Sequence, residues 1–157
     1  MTGHPTALII RPQPSRSLGA FYRNLGLTML ASYVRAAGLQ AQLIDLSFDR
    51  LSQCDARARA ALFSLYIDDF AEGTATAAAL RAANPAITTF VGGPHVTLLG
   101  EESLEVSGAF DVVGVGDCLP EAMPLVAAAA HGRAGPPGIT VAVIRSVTAL
   151  QLSVARG

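Results

Sequence analysis

Short apolar runs recur along the chain, separated by amphipathic or alanine-rich stretches. The first run, residues 6–10, is stopped by Arg11-Pro12-Gln13-Pro14, where proline at alternate positions can continue neither a helix nor a central strand. A first strand therefore empties into a loop. From 25 to 37, Leu27, Leu30, Ala31 and Val34 fall at helical spacing and Gly38 stands where a helix commonly ends, which predicts the first helix. Residues 40–46 predict a second strand ending at the acidic Asp45. The polar, arginine-rich stretch 48–60 predicts a short surface helix, and 61–66 a third strand that ends near Ser64. A loop with three carboxylates follows at 67–73, then an alanine-rich helix at 74–83 closed by Asn84-Pro85. The fourth strand begins at Ala86 and runs into Gly92-Gly93-Pro94-His95. Residues 98–106, with Glu101, Glu102 and Glu105, predict a helix over the sheet edge, 110–115 a fifth strand, and 120–130 a last helix with Pro120 suited to its first turn.

Strands that are continuous apolar runs, alternating with helices, predict an α/β fold: a doubly wound parallel sheet of about five strands, covered on both faces. The pattern breaks at 132–138, rich in glycine and proline, which sets one domain at 1–138 and an extension at 139–157. In that extension the runs 139–144 and 149–154 are expected to pack as a hairpin or edge strands. Open sheets of this class bind ligands at the carboxyl ends of their strands, which directs attention to the glycine pair Gly92-Gly93 at the outlet of the fourth.

Composition narrows the partners. With 157 residues, one core is expected. At 51% hydrophobic and 15% charged, with a mean hydropathy of +0.43, the chain is more apolar than an average domain, so apolar surface is left for a partner, a ligand or a second copy to cover. No segment approaches the roughly 20 apolar residues that span a bilayer, and the first residues lack a basic start and apolar run, so the expected place is the cytoplasm, away from membrane. The 11 basic residues are all arginine and scattered over a chain of net charge −1, which argues against nucleic acid. Cys54 and Cys118 are far apart and not in a C-x-x-C pair; the expectation is free thiols and no metal site.

Individual residues leave several readings open. Gly92-Gly93 serves either a tight turn or the close approach of a ligand to backbone. Gly114-Val115-Gly116 lacks the full G-x-G-x-x-G pattern after the first strand, and the chain has neither a phosphate-binding G-x-x-x-x-G-K-[ST] loop nor any lysine, so NAD and ATP readings are poor. His95 could be a metal ligand, a general base or a hydrogen-bonded loop residue, while His4 in the terminal tail and His131 at a helix end need no functional role. Asp68, Asp69 and Glu72 read as a cation-binding cluster or as a solvated loop. Ser64 reads as a nucleophile or as a strand-end serine bonding ligand or backbone, and Cys118 as a thiol activated at a helix start or as an inert one.

Residues 25–38, Leu43-Ile44-Asp45, Phe63-Ser64, Val91-Gly92-Gly93-Pro94-His95-Val96-Thr97 and Asp111-Val112-Val113-Gly114-Val115-Gly116-Asp117 occur in an order that resembles the cobalamin-binding domain preceding the barrel of cobalamin-dependent radical SAM enzymes. The G-G-P-H-x-T element is the most specific part, and the likeness extends from about 6 to 138. It implies a Rossmann-like sheet with the nucleotide tail of a corrinoid against the strand ends. Carried onto this chain, the site comprises Gln13, Ser15 and Leu18 after strand one; Ser64, Leu65 and Tyr66 after strand three; Gly92, Gly93, Pro94, His95, Val96 and Thr97 after strand four; and Gly114, Gly116 and Asp117 after strand five.

Three departures qualify what the resemblance implies. The sequence stops where a radical SAM barrel would begin and has no C-x-x-x-C-x-x-C motif, so no iron-sulfur cluster is expected and radical chemistry needs a separate catalytic partner. The D-x-H-x-x-G loop that supplies a lower histidine in other cobalamin domains is absent. Where the family has G-[ED]-G-E after strand five, this chain has Gly116-Asp117-Cys118-Leu119, which narrows the pocket or deletes a polar contact. Two further readings stand beside a corrinoid-holding module. One is a small biosynthetic enzyme repurposed from the scaffold after loss of the cofactor, with His95, Asp117 and Cys118 as candidate catalytic residues. The other is a homodimerising scaffold that pairs through the apolar tail.

Overall fold

The computed structural model describes residues 6–13, 25–100, 102, 108–133 and, as backbone, 142–145. Its strands are β1 (Thr6–Arg11), β2 (Gln40–Asp45), β3 (Ala60–Ser64), β4 (Thr88–Gly92), β5 (Val112–Val115) and β6 (Ala142–Arg145). The helices are α1 (Leu25–Ala36), α2 (Phe70–Ala83), α3 (Pro94–Leu99) and α4 (Leu119–Ala130). All strand pairs are parallel, in the order β2-β1-β3-β4-β5-β6. Chain direction across the sheet reverses between β1 and β3, the place where doubly wound sheets open a crevice.

The inner strands β1, β3, β4 and β5 are buried on both faces, which is why their apolar runs are continuous, whereas β2 at the sheet edge buries only Ile44 fully. Ala7 and Ile9 of β1 pack with Leu62, Phe90 and Val112 under Leu27, Leu30, Ala31 and Val34 of α1 and Met123, Val126, Ala129 and Ala130 of α4. Leu8 and Ile10 point the other way, into a layer closed by Ala77 and Leu80 of α2 and Val96 of α3. Polar links tie the strand ends. Arg11 pairs with Asp45 at 2.9 Å across β1 and β2. At the opposite end, Asp111 accepts hydrogen bonds from the backbone N–H of Thr89 (2.8 Å) and its hydroxyl (2.9 Å), with Arg81 at 3.4 Å.

Three expectations need correction. The segment 48–60 is not a helix: it is a turn followed by one 3-10 turn (Leu51–Gln53), and Ala60 already belongs to β3. Its polar side chains compete for the backbone N–H groups a helix would use. Asp49 accepts from the N–H of Asp45, Asp45 from that of Ser47, and Asp55 from that of Arg57. The helix expected at 74 begins at Phe70, after a 3-10 turn (Ile67–Asp69) in which the Asp69 carboxylate accepts the Tyr66 N–H at 2.6 Å. Gly73 belongs to that helix because a Cβ there would lie 2.6 Å from Leu65 Cδ1, so its missing side chain serves packing rather than a loop.

A helix that was not expected, α3, starts at Pro94 directly behind Gly93 and ends at Leu99; of the helix expected at 98–106, Glu102 is helical, and residues 101 and 103–107 lie outside the described ones. At the carboxyl end of the chain, β6 adds a sixth strand, with Val112 opposite Ala142 and Val115 opposite Arg145. The second run of the expected hairpin, 149–154, lies outside the described residues.

Candidate functional site

At the carboxyl ends of β3, β4 and β5, on the face covered by α1 and α4, lies a groove of about 210 Å³. The strands supply its floor through Leu62, Ser64, Phe90, Gly92, Val112 and Gly114. One wall is Gly26, Met29 and Leu30 of α1, the other Leu119, Ala122, Met123 and Val126 of α4, and Gly116, Asp117 and Cys118 stand at its β5 end. The lining is almost wholly apolar. An engineered apolar cavity of about 150 Å³ holds benzene, so this groove has room for one substituted aromatic ring but not for a macrocycle.

The adjacent glycines have different tasks. Gly93 has φ +107°, and a Cβ there would stand 2.6 Å from both the N and the O of Leu65, so only glycine makes this turn. That close approach lets the Leu65 N–H donate to Gly92 O (2.9 Å) and the His95 N–H to Leu65 O (3.3 Å), which ties the outlets of β3 and β4 together. Gly92, by contrast, has no positive φ, and a Cβ would meet only Gly114 O at 3.5 Å. At Gly114 a Cβ would lie 2.5 Å from Cys118 Sγ, so the thiol occupies the space the glycine leaves.

Ser64, Gly92, Gly93, Gly114, Gly116 and Asp117 thus come together around the groove, joined by Cys118. The other expected site residues do not line it. Leu65 and Val96 are fully buried in the layer under α2 and α3, and the His95 ring meets Phe70 edge-on at 5.0 Å, on that same side. Thr97 acts as a strut, its hydroxyl oxygen accepting the Gly116 N–H at 3.0 Å. Tyr66, Pro94 and Gln13 are exposed at the strand ends, and Ser15 and Leu18 lie outside the described residues.

The trio proposed for catalysis is therefore split, with Asp117 and Cys118 at the groove and His95 on Phe70. Burial is the main cause pushing the Cys118 thiol up from its ordinary value, and the charges of Glu121 and Asp117 push the same way. Both causes act against activation of this thiol. Of the carboxylates at 68–72, Asp69 is buried against Tyr66, and the described residues hold no cluster of three metal-ligating side chains.

A family model described as B12 binding domain matches residues 15–122 of the 157, from the loop after β1 into α4. The chain belongs to the B12 binding domain family. No curated protein matches it. The parallel α/β sheet agrees with that membership, and the groove lies within the matched span apart from Met123 and Val126.

For a B12 binding domain, the groove passes a test of fit for part of the cofactor. Its apolar, ring-sized space suits the aromatic base at the end of a corrinoid's nucleotide tail, and Ser64 brings a half-buried hydroxyl to it. No described histidine lines it. The helix walls escaped the sequence reading because Leu30, Met123 and Val126 carry the same spacing as core residues. The available signals were Gly26 and Met29, a small residue and a 44% exposed methionine on α1 beside its buried stripe.

Proposed function

We propose that this chain is a corrinoid-holding module that seats the nucleotide base in the groove between α1 and α4 and carries the macrocycle over the strand ends. The observation that supports this most is the pairing of Gly92 with an apolar groove of about 210 Å³ at the outlets of β3 to β5, in a chain of the B12 binding domain family. A flat apolar group needs backbone without side chains where it enters, and polar groups only at its rim. The corrinoid supplies organometallic chemistry at cobalt when bound. The chain's own residues bind and orient it: Met29, Leu30 and Met123 exclude water from the base, and Ser64 offers a hydrogen bond.

No described side chain at the groove is an activated nucleophile, which supports a module that serves a separate catalytic protein; the domains the sequence resembles precede a radical SAM barrel. The module works in the cytoplasm, where Cys54 and Cys118 remain as thiols. The test is size-exclusion chromatography of the protein mixed with corrinoids: hydroxocobalamin, a cobamide with a phenolic base, and cobinamide, which lacks the base. Co-elution of corrinoid absorbance with the protein is expected. Clean separation of all three at tens of micromolar protein overturns the proposal. The same run reports mass, and a doubled mass would assign the dimer expected from the apolar tail.

A further inference from the structure

We infer that Cys118 is a size filter at the β5 end of the groove, selecting corrinoids whose nucleotide base is a single aromatic ring over those with a fused, substituted one. This rests on the corrinoid reading above. The position is the N-cap of α4, where a serine, threonine, aspartate or asparagine would bond the free N–H groups of the helix, yet the Cys118 side chain makes no capping bond. It turns to the groove instead, 6% exposed, with Sγ filling the space over Gly114.

Size sets the selection. If about 150 Å³ accommodates the six carbons of benzene, each ring atom needs about 25 Å³, and the groove of about 210 Å³ takes roughly eight heavy atoms. A methylphenol has that many; a dimethylbenzimidazole has three more. Removing the Cβ and Sγ of Cys118 adds space for about two heavy atoms on the same scale, enough to bring most of the fused ring in.

Affinities of the phenolic cobamide and of cobalamin, measured by titration of the corrinoid absorbance, test this on the wild type and on Cys118→Gly. Glycine is an accepted N-cap, so the variant is expected to fold, and its urea midpoint checks that. The wild type should prefer the phenolic cobamide at least about tenfold, the burial forfeited when two or three ring carbons are left outside. In Cys118→Gly the preference should fall below about threefold through tighter binding of cobalamin. Cys118→Ala, which removes the sulfur alone, should lie between and replaces the glycine variant if that one does not fold. Gly114→Ala, whose methyl must drive Sγ into the groove, should widen the preference. Equal affinities in the wild type, or a preference that none of these variants moves, overturns the filter while leaving the corrinoid reading intact. Absence of binding by every corrinoid to every variant overturns both.

Discussion

Gly92 and Gly93 are adjacent, and alanine at each should give opposite results. At Gly93 the added methyl meets backbone atoms, Leu65 N and O at 2.6 Å, which cannot rotate away as a side chain can. Its φ of +107° adds strain of about 1–3 kcal/mol for any residue with a Cβ. Relief requires β3 and β4 to separate at their outlets, which puts the Leu65-to-Gly92 and His95-to-Leu65 hydrogen bonds at risk, each about 1 kcal/mol. Together these give a loss of roughly 3–5 kcal/mol, a large part of the 5–15 kcal/mol that holds a typical domain folded. At Gly92 the methyl finds an ordinary contact at 3.5 Å, and reduced freedom of the unfolded chain returns about 0.4–1 kcal/mol. Gly92→Ala should therefore unfold within about 1 kcal/mol of the wild type while its methyl takes space from the groove and weakens corrinoid binding. Urea unfolding followed by far-ultraviolet circular dichroism measures both, since the chain has no tryptophan to report by fluorescence. Equal midpoints for the two variants, or a larger loss at Gly92, would refute the assignment of turn to one glycine and groove to the other.

Two further outcomes follow from the polar links. Asp111→Ala strips the partner from the N–H of Thr89, a fully buried residue, and should lower stability by about 2–4 kcal/mol; a loss under 1 kcal/mol in urea unfolding would show that water reaches this end of β4. Burial is the leading cause raising Asp69 above its ordinary value of 3.8, with the Tyr66 N–H and Arg11 acting against it. A raised acid is protonated more readily in the folded state than in the unfolded one. Its stabilising contribution is whole below 3.8 and is lost as pH rises through the folded value. A side-chain amide does not titrate and its carbonyl can still accept the Tyr66 N–H, so Asp69→Asn should gain on the wild type as pH rises from 3.8 towards neutrality. A gap that stays constant or narrows over that range in pH-dependent unfolding contradicts this reading.

How much was legible in the sequence depended on whether local pattern or tertiary contact decided the outcome. The strands at 6–11, 60–64 and 112–115 were readable because a parallel strand buried on both faces is an unbroken apolar run, and α1 because its stripe and Gly38 agree. The missing helix at 48–60 was not, since Asp49 and Asp55 sit in a polar, arginine-rich stretch that reads as a surface helix until their bonds to backbone N–H groups are seen. Gly73 misled in the same way: a glycine beside carboxylates signals a loop, whereas contact with Leu65, eight residues earlier, is invisible locally. At the groove, the strand-end glycines could be singled out in the sequence because a missing Cβ is meaningful at such an outlet. The place of the His95 ring could not, because the start of α3 directly after Gly93 turns it towards Phe70.

That turn also decides what kind of site this is. A reaction run by the chain's own side chains needs a base within hydrogen-bond reach of its nucleophile, roughly 2.6–3.2 Å. Here the imidazole of His95 packs on Phe70 in the layer under α2 and α3, while the thiol of Cys118 lies over Gly114 in the layer under α1 and α4. The sheet itself stands between those layers. Burial and the charges of Glu121 and Asp117 keep the thiol protonated, so its bulk rather than its nucleophilicity bears on a bound group. On the proposed reading, selection falls to the walls of the groove, where a single atom, Cys118 Sγ, fills the space over Gly114 at the β5 end.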